Sequence, residues 1–133
     1  MNRLIFLALL IGGSARAAGS AVPGMMAGYS AAGAGPADAS RGAAMWTAEH
    51  PSPEGGAARS CTSCHPVDHS KAGKHARTGE VITPLSPRVD SQRLSDPLEI
   101  EKWFGRNCRW TVGRDCTPAE KADLLLYLSR GGV

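Results

Sequence analysis

Cys61-Thr62-Ser63-Cys64-His65 is the stretch whose reading decides the fold. In an exported chain, C-x-x-C-H is the attachment sequence of a c-type haem. The thiols of Cys61 and Cys64 add covalently to the haem vinyl groups, and His65 follows as proximal iron ligand. The same five residues also fit a thioredoxin-type redox pair or half of a zinc site. The rest of the chain favours one covalently bound haem c as the cofactor.

The N-terminus reads as an export signal. Arg3 supplies a basic start, Leu4 to Ile11 an apolar run, and Ala15-Arg16-Ala17 an A-x-A cleavage pattern. The run is about half of the ~20 apolar residues that a membrane span needs, which favours a cleaved signal over an anchor. Residues 1–17 are therefore expected to be removed, leaving 116 of the 133 residues as one periplasmic domain. That compartment is oxidising and permits disulfides. Loss of Arg3 and Arg16 leaves 13 basic side chains against 12 acidic ones, a balance without a nucleic-acid signature. Aromatic residues make up 5% of the chain, so the core is thin unless a haem supplies apolar faces.

Residues 18–37 are rich in Ala and Gly and are expected to form a flexible leader. Residues 38–133 are expected to be the monohaem domain. Asp38 predicts a helix cap, with a short helix through Arg41, Met45 and Trp46 to about Ala48. Residues 66–95 carry few periodic apolar positions and read as a loop along one haem edge. Asp96, Pro97 and Glu99 predict a capping box opening a helix to about Asn107, with Leu98, Trp103 and Phe104 on its apolar side. Thr117, Pro118 and Glu120 open the last helix, which carries Leu124, Leu125 and Leu128 and ends at Gly131. The expectation is an all-α class I cytochrome c fold, with three to four helices around one covalently bound haem. In that layout the first and last helices cross.

The sixth iron position is the open question. The methionines are Met1, Met25, Met26 and Met45, all before Cys61, so no thioether can come from the usual downstream loop. The remaining candidates are His69, His75, Lys71, Lys74, Lys102, Asn107 and water. His69 is close in sequence to His65 and reads as a solvent-exposed loop residue; Lys102 reads as a solvated helix residue. Asn107 reads either as a ligand or as an ordinary residue at a helix C-terminus. Cys108 and Cys116 do not form a second C-x-x-C-H, and in an oxidising compartment they are expected to pair. The bridge reads either as a staple between the terminal helices or as a device that positions Asn107.

The segments C-T-S-C-H, G-K-H-x-R-T-G-E-x-I-x-P-L-S-P, W-F-G-R-N-C and G-R-D-C-T-x-x-E-K together resemble a known family. It is the small high-spin class I cytochromes c called sphaeroides haem protein. The resemblance runs from about Ser60 to Leu128. It implies Asn107 as distal ligand beside a Cys108–Cys116 disulfide. It also implies electron transfer and transient O2 or NO binding, with a dihaem cytochrome c and a membrane b-type cytochrome as redox partners. A monomer without enzymatic turnover is expected. The alternative is a conventional low-spin electron carrier with His75 or Lys102 as sixth ligand.

Overall fold

The computed structural model describes residues 19–132. The expected signal peptide, residues 1–17, lies outside them. The elements in order are α1 (Val22–Ala31), α2 (Ala39–Thr47), a 3-10 turn (Cys61–Ser63), β1 (Gly73–Lys74), β2 (Val81–Ile82), α3 (Pro97–Thr111) and α4 (Pro118–Ser129). The chain is mostly helical, in the class I arrangement in which α2 and α4 cross and α1 lies against α4.

The crossing is built from backbone contact and charge. Asp38 accepts hydrogen bonds from the backbone N–H groups of Ser40 and Arg41, which starts α2 as its sequence predicts. At Gly42 an added Cβ would stand 2.3 Å from the Asp123 carbonyl oxygen, so the two helix backbones touch there. The Arg41 guanidinium grips the Asp123 carboxylate through Nε at 2.7 Å and Nη2 at 2.9 Å. The Asp38 N–H donates to the same carboxylate at 2.7 Å. A bidentate guanidinium–carboxylate pair fixes orientation as well as distance. Trp46 on α2 and Ala122, Leu124, Leu125 and Tyr127 on α4 form the buried centre.

Two sequence expectations need correction here. Residues 18–37 contain α1, where a flexible leader was expected. Tyr29 is buried, and Met25 and Met26 pack against the core, so tertiary contact outweighs the low helix propensity of Gly24 and Gly28. The α1 end is tied further by Tyr29 Oη, which donates to Glu101 on α3.

The second correction concerns α3. It runs to Thr111, so Asn107 is an interior residue rather than a C-terminal one. Its buried stripe is Ile100, Phe104, Cys108 and Thr111; Leu98 is 80% and Trp103 48% exposed. The stripe follows the helical period, which the mere presence of Leu and Trp does not reveal. Asp96 caps Leu98, while Glu99 turns to Lys102 and Trp103 instead of closing a capping box. The box on α4 does form, with Thr117 and Glu120 bonding reciprocally.

Gly42→Ala is expected to lower stability by about 1–3 kcal/mol, because the clash is with backbone that must shift. Thermal unfolding checks this. Arg114, with the Thr117 cap, holds the Glu120 carboxyl down at about 2, below its ordinary 4.5. A depressed carboxylate stabilises above its unfolded pKa, and that stability is lost as pH falls through the folded one. The stability gap between the protein and Glu120→Gln should therefore be full above about 4.5 and close towards about 2. Melting curves across that window decide it.

Candidate haem-binding site

The attachment motif folds as one tight turn. Ser63 N–H donates to the Ser60 carbonyl, and Cys64 and His65 N–H both donate to the Cys61 carbonyl, at 3.2 and 3.0 Å. This gathers Cys61, Cys64 and His65 at one place. Both thiols are free and half-buried. Burial pushes the Cys61 thiol up to about 11. A reactive redox pair needs a thiol lowered towards neutrality, the opposite of the direction at Cys61. Among the described residues no three His, Cys, Asp or Glu side chains converge on an ion site, which leaves the zinc reading without a donor set.

His65 is prepared as a ligand. Burial, with smaller effects from His69 and Arg93, pushes it down to about 4, so its ring is neutral with a lone pair for a metal. The Trp46 ring lies 5.7 Å from the His65 ring, centroid to centroid. The β-hairpin closes over the motif from the other side. Lys74 N–H donates to the Cys64 carbonyl at 2.8 Å, and an added Cβ at Gly73 would stand 2.3 Å from that oxygen. Ala76 N–H points to Cys64 Sγ at 3.3 Å. A cleft of about 530 Å3 opens here, lined by Cys64, His65, Pro66, Gly73, Lys74 and Val81. Cys64 and His65 line this cleft and Cys61 lies in the same turn, so the two thiols and the imidazole that a covalently held haem needs stand together.

His69 is not the exposed loop residue that the sequence suggested. It is 1% exposed, edge-on to Trp46 at 4.7 Å and to Tyr127 at 5.0 Å. Its N–H reaches Gly131, and its carbonyl accepts from Ser86. Neither ring nitrogen has a partner among the described residues, nor do Trp46 Nε1 and Tyr127 Oη. Sequence carries no signal for this cluster, because the wall against His69 is Gly131–Gly132 at the far end of the chain.

The sixth-ligand candidates separate by what already occupies them. His75 Nδ1 accepts from the N–H groups of Arg77 and Thr78 at 3.3 and 3.1 Å, which folds the ring back onto its own turn. Lys102 Nζ is held by Glu99 at 2.6 Å. Met25 and Met26 belong to the α1 packing. Lys71 and Lys74 are exposed. Asn107 is also exposed, and its side chain makes no hydrogen bond among the described residues. It lies one turn before Thr111 and beside Cys108, on the edge of the buried stripe of α3. No hydrogen bond joins it to the attachment motif. Cys108 and Cys116 are paired, with Cα atoms 5.7 Å apart.

Comparison with known proteins places this geometry. Residues 32–128 match the family described as a domain of unknown function, DUF1924. The cytochrome c-type protein SHP of Cereibacter sphaeroides is 44% identical over 131 residues, covering 97% of this chain and 98% of that protein. The structure of oxidised SHP, an oxygen-binding cytochrome c, superimposes with a TM-score of 0.74 over 84% of this chain and 97% of that one. Oxidised cytochrome c'' of Methylophilus methylotrophus gives 0.68 at 30% identity, over 80% and 91%.

The Cys61→Ala, Cys64→Ala double variant is expected to lose its haem to acid-acetone extraction, while the unaltered protein keeps it. Extraction followed by an absorption spectrum of the protein fraction shows which occurs.

Proposed function

Because the chain belongs to the DUF1924 family and, with SHP, to the class I c-type cytochromes, we propose that it transfers electrons and transiently binds O2 or NO. Asn107 is then a displaceable sixth ligand. Bound through the motif, the haem supplies a one-electron couple and, when ferrous, an iron with affinity for small diatomics. Cys61 and Cys64 hold it covalently, and the neutral His65 ring ligates one face.

The observation that carries the reading is the state of the donors. His75 and Lys102 are engaged elsewhere, no methionine follows Cys61, and the Asn107 amide is uncommitted. An amide oxygen is a neutral, weak-field donor. It leaves ferric iron high-spin and is readily displaced. Asn107 would hold the iron through its amide oxygen, and once released it would offer its amide N–H to a bound diatomic.

The protein is exported to the periplasm and works as a monomer. A dihaem cytochrome c and a membrane b-type cytochrome are the redox partners that the family resemblance implies. It acts by binding and electron transfer rather than turnover.

Optical and EPR spectra of the ferric and reduced protein, with and without CO, test this. A high-spin ferric signal that changes in Asn107→Ala, with rapid CO binding to the ferrous form, is expected. A low-spin spectrum indifferent to CO and to Asn107→Ala would overturn the reading and return Lys102 or His75 as ligand.

A further inference from the structure

We propose that Arg59 is the positioning residue for Asn107. From the haem-attachment segment it caps the C-terminal turn of α3 and sets how readily Asn107 is displaced. The proposal rests on the reading of Asn107 given above.

Arg59 stands two residues before Cys61. Its backbone is fixed by reciprocal 2.8 Å hydrogen bonds with His50. Its side chain is only 15% exposed and makes three contacts at once. Nη1 donates to the Trp110 carbonyl at 3.2 Å. The guanidinium carbon lies 4.4 Å above the Trp110 ring centroid. Nη2 reaches Glu54 Oε2 at 2.9 Å.

Trp110 belongs to the last turn of α3, three residues after Asn107 and two after Cys108. Carbonyls in that turn lack partners within the helix, and the helix dipole favours a cation there. One planar fork thus satisfies a carbonyl, faces the dipole and covers an aromatic ring, which suits Arg and not Lys.

The consequence is mechanical. The disulfide ties this turn to α4 through Cys116, and Arg59 ties it to the segment that carries the proximal ligand. Arg59 thus links the segment that leads to His65 directly to the turn of α3 that follows Asn107. Displacement of Asn107 must either leave the last turn in place, as a side-chain rotation, or break the Arg59 contacts. Without Arg59 the turn frays and Asn107 competes less well for ferric iron.

The test uses the haem-loaded protein and its Arg59→Ala, Arg59→Lys and Asn107→Ala variants. The readouts are the ferric spectrum and the affinity of the ferric form for imidazole, which competes with Asn107. In Arg59→Ala the imidazole affinity should rise roughly twofold to tenfold, and the spectrum should move part of the way to that of Asn107→Ala. Arg59→Lys, which keeps charge but not the fork, should fall between, and it serves if the alanine variant folds poorly. A lowered melting temperature with unchanged imidazole affinity would make Arg59 merely structural and overturn the proposal. So would an Arg59→Ala spectrum like that of the unaltered protein while Asn107→Ala differs. If Asn107→Ala itself changes nothing, the ligand reading fails first and the positioning role falls with it.

Discussion

The contact between α2 and α4 at Gly42 is the constraint on which the rest depends. With hydrogen in place of a side chain, the α2 backbone reaches the Asp123 carbonyl, and no other residue type allows that approach. The Arg41–Asp123 pair then sets the crossing direction. Asp123 is buried, and its carboxylate is matched by two guanidinium bonds and one backbone N–H. A buried charge is tolerable only when satisfied in this way. The crossing places Trp46 against His65, His69 and Tyr127, and so determines what the attachment motif rests upon.

α3 buries a stripe along its length and is tied at both ends as well. Near its start, Glu101 receives Tyr29 Oη from α1 and Lys121 Nζ from α4, the latter at 2.7 Å. At its finish stand the Cys108–Cys116 bridge and Arg59. Asn107 lies near the second set of ties. The ties on either side keep this turn of α3 in place while the exposed Asn107 side chain stays free to rotate. The unexpected α1 has a role here, since it supplies Tyr29 to the first tether.

The sequence is most legible where the signal is local. C-x-x-C-H names a cofactor because covalent attachment requires those atoms at that spacing. Asp38, Asp96 and Thr117 start helices where expected, since a cap depends on residues within one turn. The Cys108–Cys116 pair was legible because few alternatives existed for two leftover thiols. The residues that were misread, or passed over, depend on distant partners. Tyr29 needs Glu101, which turns a Gly-rich stretch into a packed helix. His69 needs Gly131 and Gly132 to become buried. Arg59 needs Trp110.

By itself, then, the sequence determined the cofactor class, the order of α2, α3 and α4, and the absence of a methionine after Cys61. Each of these follows from residue identity and short-range spacing. Only the tertiary structure decided that the His75 ring folds back onto the Arg77 and Thr78 backbone, that Asn107 sits inside α3 with its side chain exposed, and which face of α3 is buried. The reason is physical. A ligand's availability depends on which groups already bind it, and those groups are brought to it by the fold rather than by proximity along the chain.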